Sequence, residues 1–335
     1  MSRALPVFCL LCLFTATSAV YAASDDASSE SNVGRWLSNA AQAVRTGSYR
    51  GVMVYLRQKQ LDTLRVVHRY SDDIEQERLV ALTGRPREII RRGSRVVSIL
   101  PANKVVLITH QQKRDSLLSR VGRFSSDKMR AHYQMQLLGS RRLADRPTQV
   151  IRIQPQDKYR YGYRILIDKK TYLPLKLNLI YNDHVLEQLM FTEIAYPDHI
   201  PDSAFHATYD IDDYKVINHQ EMEVGSSPVA ASHWRTTRLP PGFELAETGV
   251  RNTPGGQPVR QMLFTDGVAT ASAFIGPADV SNPLIGGTTM GAVNAFGRAV
   301  GTFHITVVGE VPSVTVRMIA QNLVHDGRTT ADVDK

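Results

Sequence analysis

The apolar residues of this chain keep a helical period over one stretch near its start and a strand period thereafter. From Asn32 to Thr46, Trp36, Leu37, Ala40, Ala41 and Val44 fall three or four apart, with Asn32 placed as an N-cap and Gly47 as a stop. After Gly47 the period is two, predicting strands over 49–57, 61–70, 74–82, 88–92, 95–100 and 104–110. Their connections, Gly93-Ser94 and Pro101-Ala102-Asn103 among them, are too short for crossovers, so neighbouring strands should run antiparallel. Residues 114–132 break the pattern. There Leu117, Leu118, Val121, Phe124 and Met129 are spaced like a short helix or an ordered loop that could cover an open sheet. Strands resume over 133–143, 149–154, 161–167, 173–181 and 185–195, with turn residues at Gln156-Asp157, Asp168-Lys169 and Asn182-Asp183.

Pro197 and Pro201 end this run, and residues 216–232, with Gly225-Ser226-Ser227-Pro228, read as a linker. A smaller α+β unit over 233–328 follows, with strands expected at 257–265, 268–275 and 302–309 and a helix at 313–324. The glycine-rich stretch 276–301 has no assignable pattern. The first domain is thus expected over 32–215, as one helix and a long antiparallel sheet.

The extreme N-terminus sets the compartment. Arg3, an apolar run from Leu5 to Phe14 and the small residues around Ala22 form a secretory signal over 1–22, followed by a polar, disordered leader over 23–31. Both cysteines, Cys9 and Cys12, fall inside the signal, so the exported chain should hold no disulfide. No other stretch approaches the length of a membrane span. A formal charge of +8 is a mild excess for 335 residues and does not point to nucleic acid.

Catalytic patterns are missing from the sequence. No Gly-x-Ser-x-Gly elbow occurs, the ten histidines are scattered singly without a metal-ligand spacing, and Asp72-Asp73 and Asp212-Asp213 sit in expected turns. No catalytic residue, cofactor or metal is therefore nominated. Two features suggest binding instead. Arg87, Arg91 and Arg92 belong to an arginine cluster suited to phosphate groups, or simply to a solvated strand face. Val52, Val54, Val106 and Ile108 lie in strands apolar on both faces, which requires cover on both sides or an apolar groove for a lipid or extended peptide.

Longer strings are specific. Ser48-Tyr49-Arg50-Gly51-Val52-Met53-Val54-Tyr55, Tyr159-Arg160-Tyr161-Gly162-Tyr163, Leu173-Pro174-Leu175-Lys176, Leu239-Pro240-Pro241-Gly242-Phe243 and Val307-Val308-Gly309-Glu310-Val311-Pro312 together resemble the RseB/MucB family, periplasmic negative regulators of the extracytoplasmic stress sigma factor. The resemblance implies an α+β fold: a LolA/LolB-like open antiparallel half-barrel with covering helices, plus a smaller C-terminal α+β domain. It implies as partner the periplasmic segment of a single-span anti-sigma factor, RseA or MucA, shielded from its site-1 protease. It further implies displacement by lipopolysaccharide or lipoprotein acyl chains, and it leaves a homodimer open. Exposure is the premise on which Trp234, Pro240, Pro241 and Phe243 are chosen as partner-binding candidates; Pro240 to Gly242 could equally shape a turn. The competing function is a periplasmic lipoprotein or lipid carrier that uses the half-barrel alone.

Overall fold

The computed structural model describes residues 22–110, 118–125, 127–219, 234–252, 258–278 and 283–325; of the expected signal over 1–22, residues 1–21 lie outside them. Helix α1 runs Ala22–Thr46, so it starts ten residues before the expected N-cap and takes in the leader. Asn32 stands inside it, accepting a 3.0 Å hydrogen bond from Arg35 Nη2.

The strands of the first domain are β1 (Tyr49–Arg57), β2 (Gln60–Ser71), β3 (Ile74–Ala81), β4 (Glu88–Arg92), β5 (Arg95–Leu100), β6 (Val105–His110), β7 (Tyr133–Leu143), β8 (Arg146–Pro155), β9 (Gly162–Asp168), β10 (Pro174–Tyr181), β11 (His184–Ala195) and β12 (Lys215–His219). They form one twelve-stranded sheet in the order β12-β6-β5-β4-β3-β2-β1-β11-β10-β9-β8-β7, with β12 and β7 as its edges. Two meanders therefore join where β1 meets β11, and the pairing is antiparallel except between β12 and β6. Strand β12 corrects the expected linker: Val216 and Ile217 pair in parallel with β6, while 220–233 lie outside the described residues.

Residues opposite one another in the ladder share a face, and the two faces are covered differently. Met53 and Leu64 oppose each other on the face that carries α1, whose Val33, Leu37, Ala40 and Val44 complete the main core. The irregular stretch resolves into 3-10 turns at Ser119–Ser125 and Asp127–Ala131, and its Leu118, Val121, Phe124 and Met129 join that core as their spacing suggests. Segment 196–214 crosses the other face. Arg69 donates to the Ile200 carbonyl at 2.5 Å, Arg78 to that of Ala204 at 3.1 Å, and the Thr208 N–H to Glu88 at 3.0 Å. Both faces of the β1–β6 half thus have cover, which explains why its strands do not alternate.

The second domain contains β13 (Trp234–Thr236), β14 (Glu244–Asn252), β15 (Pro258–Thr265), β16 (Thr270–Pro277), β17 (Gly286–Met290), β18 (Val293–Val300), β19 (Phe303–Gly309), α2 (Ser313–Asn322) and β20 (Leu323–His325). Six strands form an antiparallel sheet in the order β14-β15-β16-β19-β18-β17, and β13 pairs with β20. The unassigned stretch supplies β17 and β18. Their pattern was masked by Gly286, Gly287, Gly291 and Gly297 and by a β18 of mixed burial. Helix α2 buries Val316, Ile319 and Ala320 on this sheet.

Candidate functional site

The most concentrated buried polar structure lies where the two domains meet. After β8 the chain turns tightly, the Tyr159 N–H donating to Asp157 Oδ1 at 2.9 Å, and this turn sends Arg160 into the boundary. The Arg160 side chain is 0% exposed. Its Nε donates to Asp157 at 3.2 Å, and its Nη1 lies 3.1 Å from Asp266 Oδ2 as an ion pair, off the line of a hydrogen bond. Its Nη2 donates to the Pro241 carbonyl, and the guanidinium stacks between Tyr133 and Phe243, at 5.6 and 5.5 Å from their ring centres. Asp266 is itself held by the N–H groups of Val268 and Ala269 at 2.9 and 2.8 Å. Buried charges are tolerated when every lone pair and proton finds a partner, as this set nearly achieves.

Neighbouring residues extend the clasp. Tyr161 donates to the Ala292 carbonyl at 2.9 Å and accepts from Asn294 Nδ2 at 3.0 Å; the same amide donates to the Val311 carbonyl at 2.7 Å. Thr315 donates to the Tyr159 carbonyl at 2.6 Å. Val268 and Ala292, both from the second domain, pack into the first domain's core. Gly242 has φ +77°, and a Cβ there would fall on the His132 ring, so the backbone of the Pro240-Pro241-Gly242 turn must approach that ring closely.

A second charged contact flanks a cavity of about 140 Å³ lined by Arg120, Arg123, Phe124, Tyr163, Val268 and Glu310. Arg120 pairs with Glu310, and Arg123 donates to the Val268 carbonyl at 3.3 Å. Burial pushes the Glu310 carboxyl above the usual carboxylate range; Arg120 opposes that rise and the nearby Glu187 adds to it. Glu187 accepts a 2.6 Å hydrogen bond from the Tyr55 hydroxyl, which burial and this carboxylate keep protonated.

The residues chosen from the sequence fall elsewhere. Val52 and Val106 share one row of the sheet, and Val54 and Ile108 share their face, which is the one opposite α1. Val106 is 1% exposed on the row of Glu88 and Ile99, the face crossed by segment 196–214, whereas Val52, Val54 and Ile108 are half-buried. The four therefore do not form one open groove: cover on both sides accounts for their pattern. Arg91 and Arg92 point to opposite faces, as strand neighbours must. Arg91 is buried and opposes Glu77, while Arg92 and Arg87 are exposed, so the three make no single phosphate cluster.

Of the partner-binding candidates only Pro241 is exposed. Trp234 and Phe243 belong to the second domain's core and Pro240 is buried, so the premise of exposure is corrected. Phe243 does make a contact across the junction, with Arg160, whereas Trp234 packs on Phe303 and His325 within its own domain.

Arg160, Asp266 and Glu310 were not singled out by the sequence. The available signal was a lone arginine among three tyrosines, a composition that fits a buried cation more than a wet strand. Two other clusters emerged. Asp168 is 0% exposed: burial favours its neutral form, but Arg146 Nε at 2.7 Å, the Lys170 N–H at 2.8 Å and the Tyr196 hydroxyl at 3.1 Å outweigh this and hold it below the usual range. Beside it a cleft of about 490 Å³ opens between the end of α1 and Thr171, Tyr172 and Leu173. His68 donates from Nδ1 to the Gly47 carbonyl at 2.7 Å, and its Nε2 faces Glu75 at 3.1 Å. His68, Glu75 and Glu77 bring ligand atoms within 4.8 Å of one another, a metal-like grouping among the described residues, although Arg91 opposite Glu77 sets a positive charge beside any incoming cation.

The first domain is thus one long sheet, antiparallel but for its β12 edge, with α1 on one face and segment 196–214 across the other, and the smaller sheet domain meets it at the buried Arg160. The chain belongs to the MucB/RseB family: the MucB/RseB N-terminal domain matches over 32–209 and the MucB/RseB C-terminal domain over 228–324. This is a family of regulatory binding proteins and not of enzymes. The chain is 31% identical over 298 residues to the sigma factor AlgU regulatory protein MucB of Pseudomonas aeruginosa, covering 86% of this chain and 89% of that protein. It is 25% identical to the sigma-E factor regulatory protein RseB of Escherichia coli K12, covering 90% and 93%. Among solved structures, the Pseudomonas aeruginosa MucA/MucB complex matches with a TM-score of 0.68 at 27% identity over 89% of this chain and 100% of that one. A crystal structure of MucB matches with a TM-score of 0.59 at 28% identity over 88% and 98%. Among the described residues no helix is long and apolar enough to cross a membrane.

Proposed function

We propose that this protein is a periplasmic negative regulator of an envelope-stress sigma factor. It binds the periplasmic segment of a single-span anti-sigma factor and keeps the site-1 protease from it until lipopolysaccharide or lipoprotein acyl chains displace it. The observation that carries this reading is the match of both domains, over nearly the full chain, to a MucB solved with MucA. A clasp of directional polar contacts between the domains also fits a protein that must change grip. The half-barrel reading of the first domain belongs to the same proposal, with α1 and the 3-10 turns as its cover.

The test is protease protection. The exported chain is mixed with the purified periplasmic segment of the anti-sigma factor and the site-1 protease, and cleavage is followed by gel. Cleavage should slow at stoichiometric protein and recover when lipopolysaccharide micelles are added. Equal cleavage with and without the protein would remove the shielding role. Protection that persists in lipopolysaccharide and in acylated lipopeptide alike would remove the sensing role.

A further inference from the structure

The outer face of β8 and β9 holds a charge arrangement that the clasp does not explain. Arg152 and Arg164 stand directly opposite one another in the ladder, with Gln136 beyond Arg152 and Asn178 beyond Arg164 on the same row. Like charges in that position repel and destabilise a sheet. Arg152 Nη2 donates to Gln136 Oε1 at 2.5 Å, but its Nε is buried without a hydrogen-bond partner. Among the described residues neither Arg164 nor Lys158 makes an ion pair. The effect reaches a neighbour: burial holds the Lys176 ammonium below its ordinary value, and the Arg164 charge pushes the same way.

These cations line a depression of about 320 Å³ whose other walls include Ile180, Tyr181 and Asp183. Asp157 and Arg160 also border it, but they neutralise each other within the clasp. Arg152, Lys158 and Arg164 therefore face a single uncompensated carboxylate, Asp183. The exposed Arg164 fork, with the unpartnered Arg152 Nε on the opposing strand, offers charge-assisted donors that match the oxygens of a tetrahedral dianion. We propose that this pocket binds a phosphate monoester. It lies on the opposite side of the sheet from α1 and apart from Arg87, Arg91 and Arg92, and it stands independently of the anti-sigma reading. A carboxylate ligand is the competing chemistry; a flat, singly charged carboxyl offers fewer oxygens and less charge to the two arginines.

Calorimetric titration of the exported full-length chain with inorganic phosphate and with glucosamine 6-phosphate, at low salt, tests this. Arg164→Gln removes an exposed side chain and spares the fold; Arg142→Gln, an exposed arginine on β7, is the control. Loss of one charge-assisted contact should weaken both ligands about tenfold or more in Arg164→Gln, while Arg142→Gln binds as the parent does. Flotation with vesicles of phosphatidic acid against phosphatidylcholine separates the sources. Vesicle binding lost in Arg164→Gln alone assigns a lipid headgroup, and vesicle binding unchanged while the soluble esters weaken assigns a soluble ester. Unchanged phosphate affinity in Arg164→Gln, an equal loss in Arg142→Gln, or an Arg164-dependent preference for a Glu-rich peptide over phosphate would each overturn the assignment.

Discussion

Beneath α1, Leu37, Ala40 and Val44 meet Met53, Leu64 and Ile165 in a core built almost wholly of carbon. Some way along the same sheet, the boundary with the second domain buries Arg160 and Asp266, each with a 0% exposed side chain, together with Tyr161 and Asn294. Both regions exclude water, but they hold for different reasons. Apolar contact is non-directional and adapts to small shifts, whereas the clasp needs each donor aimed at its acceptor and is worth little unless complete. The first domain is held by the former, and its junction with the second adds the latter to the apolar packing of Val268 and Ala292.

The sharpest way to break the comparison is Arg160→Met. Removing one member of a buried pair strands the other, so a loss of about 4 kcal/mol is expected in urea denaturation. The double variant Arg160→Met with Asp266→Leu should recover the part of it due to the orphaned charge, while the Val268 and Ala269 N–H groups that lose their acceptor keep the remainder. A loss below about 1 kcal/mol in the single variant would mean the ion pair does not hold the clasp. Leu37→Ala in the core should cost about 3 kcal/mol through lost burial and a residual cavity, with no partner substitution able to restore it. An interdomain distance reporter separates the two: Arg160→Met should lengthen it before any unfolding, and Leu37→Ala should not.

A smaller effect is expected at Gly242. Its φ of +77° and the His132 ring both oppose a side chain, so Gly242→Ala should cost about 1 to 2 kcal/mol. Adding His132→Ala should return only the steric part, leaving the backbone strain. Complete recovery in the double variant would show that φ contributes nothing.

Periodicity made the sheet and its core readable, because Met53, Leu64, Ile165 and their neighbours repeat at a spacing fixed by the strand itself. The MucB/RseB family was readable from strings such as Tyr159 to Tyr163, and the domain models confirm it. The clasp was not readable, although those strings hold Arg160, Pro241 and Val311 of it. Arg160 and Asp266 are 106 positions apart by their numbering, and no local rule pairs residues so distant. The same limit explains the candidates that moved. Val106 and Ile108 show the need for cover, but that cover comes from segment 196–214, and Trp234 and Phe243 are core residues of the second domain. The start of α1 is not legible for a different reason: a polar stretch of Ser, Ala, Asp and Glu can extend an existing helix while reading as leader.

The smallest expected effect separates the two regions by pH. Glu310, at the boundary, has a folded-state pKa above its unfolded value, so in the window between them the folded protein holds the extra proton. Stability attributable to Glu310 is then greatest below its unfolded pKa and falls as pH rises through the folded one. Asp168, inside the first domain, has the reverse shift: its contribution is full above the unfolded pKa and is lost as pH falls through the folded one. Urea midpoints measured from pH 3 to pH 8 in Glu310→Gln should lack the decline on the alkaline side of the ordinary glutamate range. In Asp168→Asn they should lack the acid-side loss. If Glu310→Gln leaves the profile unchanged while Asp168→Asn flattens its acid limb, the boundary carboxylate is not desolvated in solution, and the domains are already apart in the resting protein.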